Sequence, residues 1–267
     1  MGYKPMTNVL LQNLKLPGVI CRLPSQGLLY GEGVLASHVT NGEVEVKAMS
    51  AFEEISMRNI SDIINGKAVS NVFKRCIPDI LQPEELFSKD VDLLLVVLRQ
   101  VTYGSNLTIS HNHQCKGEKS ITHKYDVDLS TLIKTTKYID PTIITESYTV
   151  PMDNGQIVML HPIKFKDYLE LMQSAKDYES MTSSEMQEKL LVATVNVIKS
   201  VDGITDYESI LEWTREIPAP WFSKISKALS LSNDWGFDNS TNVVCKDCKK
   251  NMQLELPLNP LTFFLDY

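Results

Sequence analysis

NGEVEVKAMSAFEE, residues 41–54, holds a turn, a strand and a helix entry in one short stretch. Asn41-Gly42 is a strong turn signal, because both residue types tolerate a left-handed backbone. Val44 and Val46 alternate with Glu43, Glu45 and Lys47, which is the period-two pattern of a half-buried strand. Ser50 followed by Glu53 fits a capping box, in which each residue satisfies an orphan N–H of a helix start. Short strands handing over to helices in this way predict an α+β fold.

A second stretch, NGQIVMLHPIKFKDY (154–168), reads the same way: turn, strand, helix start. Helical patterns follow each. After the first come ISMRNISDIINGKAVSNVFKRCI, running to Pro78, and FSKDVDLLLVVLRQVTYG (87–104), stopped by a glycine. After the second come FKDYLELMQSAKDY, SSEMQEKLLVATVNVIKSV, DYESILEWTREI and PAPWFSKISKALSL (218–231). Each series closes on a hairpin: SNLTISHNHQCKGEKSITHKYDVDLSTL (105–132) and STNVVCKDCKKNMQLELPLNPL (240–261). The expected organisation is therefore an internal duplication: an N-terminal arm over 1–20, a first α+β half over 21–145 and a second over 146–267. Each half would have a short β entry, a helical cluster and a terminal hairpin, with the two hairpins adjacent in space. The spacing drifts from 113 residues at Asn41/Asn154 to 130 at Cys115/Cys245, so the repeat is weak.

The hairpins carry the candidate chemistry. CKDC (245–248) supplies two thiolates, half of a tetrahedral zinc site. Three of the five histidines, His111, His113 and His123, fall in HNHQCKGEKSITH (111–123) together with Cys115. In an extended strand His111, His113 and Cys115 share a face. One structural zinc per chain is expected, held by His113, Cys115, Cys245 and Cys248, with His111 and His123 as the alternatives to His113. It would staple the two halves, forming a zinc-ribbon-like site across the duplication. Glu118 stands where the second hairpin has Cys248. The competing reading is a pair of surface hairpins with plain thiols and exposed histidines. Cys21 and Cys76, in VICRL and KRCIP, read as small core residues.

Composition narrows the function classes. The chain has 267 residues, a net charge of -7 and 43 % hydrophobic residues, enough for one large or two ordinary domains. No apolar run reaches the 18 or so residues of a membrane span. The start, MGYKPMTNVLLQNLKLPG, has no signal-peptide pattern, and Met6 stands where a myristoylation motif needs Ser or Thr. An odd cysteine count in such a chain argues against a disulfide framework. The acidic balance argues against a phosphate-backbone binder. Neither a G-x-G-x-x-G nor a Walker loop occurs, so no nucleotide or other small-molecule site is expected. Ser110, His111 and Asp126 can be grouped on paper, but no G-x-S-x-G elbow surrounds them, and no enzyme is expected. Trp221 in EIPAPWFSK (216–224) either covers the core or anchors a partner.

Two further stretches complete a pattern. RLPSQGLLYGEGV (22–34) has an LPS-x-G-x-x-Y turn, and LPLNPLTFF (256–264) closes on paired phenylalanines. LPS-x-G-x-x-Y, a short strand with an F-E-E helix entry, an LR-x-x-x-YG helix end, a cysteine hairpin and L-x-L-N-P-x-x-FF together resemble the baseplate hub or hub-assembly proteins of T-even-type contractile-tailed phages. The resemblance spans about residues 20–265. It implies a non-catalytic virion protein of the tail baseplate, assembled in the host cytoplasm. It also implies other baseplate and hub proteins as partners, with the tape measure as a further candidate. The alternative is a zinc-ribbon nucleic-acid-binding adaptor, suggested by CKDCKK followed by a strand. Apolar stretches at 10–18, 27–35 and 260–267 are left for contacts with neighbours.

Overall fold

The computed structural model describes residues 16–59, 62, 66–113, 121–142, 144, 148–175, 182–231, 234–258, 263 and 264. Its described part is α+β, with small antiparallel sheets set among helices. β1 (Gly18–Arg22) pairs with β2 (Glu43–Lys47), and Val44 and Val46 turn inward as the alternation predicts. The turn before β2 places Asn41 at φ 54° and Gly42 at φ 67°. A Cβ on Gly42 would lie 2.5 Å from the Gln26 backbone carbon, so only glycine fits there. The capping box is in place at α1 (Ala51–Ser56): Ser50 and Glu53 each satisfy the other's backbone N–H.

α2 (Lys67–Cys76) leads to α3 (Ser88–Tyr103), which is the centre of the first core. Val91 and Leu93 through Leu98 are all buried, so α3 is apolar around nearly its whole circumference. It stops at Gly104, φ 92°. β3 (Asn106–His113) and β4 (Ile121–Asp128) form the first hairpin, followed by the short α4 (Leu129–Ile133). β5 (Thr149–Pro151), β6 (Ile157–Leu160) and β7 (Ile198–Val201) build a three-stranded sheet. α5 (Phe165–Ala175) and α6 (Ser183–Val195) lie between β6 and β7 in sequence. α7 (Tyr207–Glu216) and α8 (Ala219–Leu231) follow, and β8 (Ser240–Val244) and β9 (Asn251–Glu255) form the second hairpin.

The stretch SSEMQEKLLVATVNVIKSV was expected to be helical throughout, but the helix ends at Val195 and Ile198–Val201 pairs with β6. The β-branched residues of VNVIKSV fit a pleated surface better than a helix, and β6 offers it a free edge.

Two buried clusters result. One surrounds α3 and gathers β1, β2, α2, Val127, Leu256, Phe263 and Phe264. The other gathers Tyr148, Val150, Val158, Val201, Ile210, Ile225 and Trp235 around the three-stranded sheet, and Trp221 covers it. Cys21 and Cys76 sit in the first cluster, where burial pushes both thiols up to about 12. Phe263 and Phe264, which the sequence left between core and neighbour, are core: they are 1 % and 0 % exposed.

Candidate functional site

The two terminal hairpins touch. His123 on β4 and Asp247 in the β8–β9 turn approach to 3.1 Å between Nε2 and Oδ2. The ammonium of Lys246 lies 5.9 Å from the centre of the Tyr125 ring, also on β4. A groove of about 400 Å³ runs between β3 and β9, lined by Ile109, Ser110, His111, Gln253, Leu254 and Glu255. This adjacency is what the paired cysteine hairpins led us to expect.

The CKDC turn is a tight, hydrogen-bonded loop between β8 and β9. Cys245 follows directly on β8 and is fully buried, while Cys248 is half-buried. Cys245 N–H donates to the Lys250 carbonyl at 2.9 Å, and Lys249 N–H donates to the Cys245 carbonyl at 3.1 Å. Lys249 closes the loop in the left-handed region, φ 60°. His123 Nε2 is buried and makes no hydrogen bond among the described residues. His111 pairs directly opposite His123 in the strand register. His113 lies on β3 opposite Ile121, but its side chain and all of Cys115 fall outside the described residues. Among the described residues no cluster of three or more His, Cys, Asp or Glu side chains is arranged to hold a metal.

The LPS-x-G-x-x-Y stretch forms a second, quite different site. Asp90, in the first turn of α3, is fully buried. Its carboxylate accepts from Ser25 N–H at 2.9 Å, from Ser25 Oγ at 2.5 Å and from the Tyr30 hydroxyl at 2.5 Å. The Tyr30 oxygen in turn accepts from Phe87 N–H at 2.9 Å, and the Tyr30 ring stacks on Phe87 at 4.4 Å. Burial pushes the Asp90 carboxyl up to about 6 against these three hydrogen bonds, which favour its charged form. The same burial, with Asp90 beside it, raises the Tyr30 hydroxyl well above its ordinary range. Tyr30 packs against both buried clusters, and Phe87 belongs to the second. Next to them, Phe87 bridges to Lys164, while Glu85 binds Lys164 at 2.7 Å and Lys166 at 2.5 Å. The motif is thus a joint between the two cores. Of its apolar flank, Leu29 stands out, 44 % exposed at φ 66°; Val34 is buried and Leu28 partly so.

Sequence reasoning singled out the LPS-x-G-x-x-Y motif but missed Asp90, its partner. The available signal was an aspartate opening an otherwise apolar helix, a position that usually reads only as helix-end electrostatics. The paper grouping of Ser110, His111 and Asp126 dissolves. Neighbours on a strand point to opposite faces, and Asp126 accepts from Thr108 Oγ1 at 2.7 Å. No helix among the described residues is long and apolar enough to cross a membrane.

A protein-family model described as T4 bacteriophage base plate protein matches residues 36–265. No curated protein and no solved structure matches the chain.

Proposed function

The chain belongs to the T4 bacteriophage base plate protein family, and we propose that its place in the virion tail baseplate is the hub, where it acts as a non-catalytic assembly component stiffened by one structural zinc. The matched span is the observation that carries this reading: it takes in both hairpins, the buried residues of the second cluster and all of the first cluster except Cys21, Leu23 and Val34. Its partners on this reading are other baseplate proteins, with the tape measure a candidate among them, met first in the host cytoplasm during assembly. The two halves, 21–145 and 146–267, are read as products of one duplication, preceded by a partner-binding arm.

The arm gives the functional test. Pro17 O accepts from Ala48 N–H at 2.8 Å, so a deletion of residues 1–15 spares β1 and its pairing. The truncated protein is expected to fold with an unchanged melting curve and to fail to enter tails. Complementation of a phage lacking the gene reads this out; normal, infectious tails from the truncated protein would show the arm to be dispensable and refute this assignment.

Zinc would be held by Cys245 and Cys248 from one hairpin and by Cys115 and a histidine from the other. Two observations support the fit: the closed turn at CKDCK, and the contact between the hairpins, in which the buried Nε2 of His123 lies 3.1 Å from Asp247 Oδ2 within that turn. The Nε2 of His123 sits against the Asp247 carboxylate inside the CKDC turn, which makes His123 the stronger candidate over His113 for the fourth ligand. Elemental analysis should give one zinc per folded chain. Cys248→Ser should lose it, at a cost of about 2–4 kcal/mol, since the metal's binding energy is available only to the folded arrangement. Retention of zinc in His123→Ala but not in His113→Ala would reverse the choice of histidine. DNA retention that falls steeply with salt would favour the nucleic-acid adaptor instead.

A further inference from the structure

β1 is an edge that natural sheets normally protect. Among the described residues it pairs only with β2, in a two-stranded sheet. Pro17 accepts from Ala48, and Leu23 donates to Gly42, each at 2.8 Å. Those bonds fix the odd-numbered residues of β1 as the ones that bond inward to β2. The N–H and C=O groups of Gly18, Ile20 and Arg22 therefore point to the outer edge. Just past Arg22 that edge is closed, because Ile139 N–H donates to the Pro24 carbonyl at 2.9 Å. Among the described residues the open stretch is thus the strand itself, GVICR. It carries none of the usual guards of a free edge: no bulge, no proline within it and one charge, at its end. Instead Ile20 is 66 % exposed, Val19 44 % and Leu16 43 %.

We propose that this edge is the dimerisation surface of the protein, with β1 of a second copy pairing antiparallel about a two-fold axis through Ile20. The register is what selects a second copy over a strand of another protein. Three residues present outward groups, and they are symmetric about Ile20. Ile20 would exchange both main-chain hydrogen bonds with the partner's Ile20, and Gly18 with the partner's Arg22, leaving no outward group of the open stretch unused. The side chains agree on both faces. On the inner face the existing pairs Val46–Val19 and Val44–Cys21 would join into a continuous row, Val46, Val19, the partner's Cys21 and the partner's Val44. That row covers the exposed part of Val19. On the outer face the two Ile20 side chains meet at the axis, each flanked by its own Glu45. Each Arg22 lies opposite a glycine, so it keeps its own setting, stacked 5.2 Å above Tyr138. Tyr138 is itself 45 % exposed, at the end where the partner's Leu16 would arrive. A four-stranded sheet continuous through two molecules results.

Sedimentation of the full chain over a concentration series tests this. A monomer–dimer equilibrium is expected, and Ile20→Lys should weaken it by roughly tenfold or more, since two like charges would face each other at the axis. Ile20 is largely exposed, so the variant should keep its melting curve; if it does not, Ile20→Thr, a good strand former without the apolar contact, replaces it. The register has its own signature. Val19→Cys places a thiol opposite the partner's Cys21, and mild air oxidation should then crosslink two chains. The crosslink should vanish when Cys21→Ser is added. A chain that stays monomeric throughout, or a dimer indifferent to Ile20→Lys and lacking the crosslink, overturns the proposal. So does a dimer that disappears on deleting residues 1–15, because β1 is intact in that protein.

Discussion

Asp90→Ala is expected to cost about 3–5 kcal/mol of folding stability and to separate the two cores before either melts. The carboxylate is fully buried and accepts three hydrogen bonds from Ser25 and Tyr30. Truncation leaves those donors buried with no acceptor, which costs more than the bonds themselves contribute. Tyr30 then loses its orientation, and with it the hydroxyl that accepts from Phe87 N–H. Since Tyr30 packs against both clusters, the damage falls on the joint. Denaturant unfolding should therefore broaden or split into two transitions, while circular dichroism in water stays close to wild type. A single transition at the wild-type midpoint would mean the anchor is unimportant. The pH dependence has a definite sign. Asp90 and Asp92 are both raised from 3.8 to about 6 by burial, so the folded state binds protons more tightly than the unfolded chain does. Their contribution is fully present below pH 3.8 and is lost as pH rises through about 6. The stability advantage of wild type over Asp90→Asn should accordingly narrow across that window, and a widening gap would contradict the assignment.

Phe264→Ala should be comparably severe, about 3–5 kcal/mol, the usual cost of emptying a closed aromatic site in a core. Phe264 is fully buried and meets Phe263 edge to face at 5.4 Å. The buried guanidinium of Arg99 donates to the Phe263 carbonyl and lies over the Phe263 and Tyr103 rings at 5.3 and 5.4 Å. A cation placed there is tolerated only while the tail stays docked. Thermal melting reads the loss; a shift of less than a degree or two would show the tail to be peripheral. Phe264→Leu, which keeps much of the volume, should recover more than half of it.

Local devices were legible in the sequence because they depend on neighbours in the chain. The Ser50/Glu53 capping box, the Asn41-Gly42 turn and the glycine stop at residue 104 all formed where their residue types required. The apolar run over 88–103 read as a buried helix for the same reason. What failed were features whose energy comes from distant partners. Residues 198–201 became a strand because β6 lies alongside, which no local window reveals. Asp90 looked like a helix-end charge until Ser25, 65 residues earlier, closed on it. The paired phenylalanines read equally well as seal or plug, since the choice rests on Arg99, 164 residues away. The sequence located the two hairpins, but that His123 is the histidine beside the CKDC turn is a matter of strand register and packing.

The docking of Phe263 and Phe264 around α3 also bears on how the protein is made. The first core is laid down early in translation, yet Phe263, which accepts from Arg99, leaves the ribosome 164 residues after it. Until then the apolar surface of α3 waits for its final cover, and closing that long loop is a slow, non-local step. A product cut short by a nonsense codon ahead of residue 263 never acquires the finished first core. Synthesis through Phe264 thus becomes a condition for a properly closed first core, and copies that stop short of it keep apolar surface on α3 uncovered.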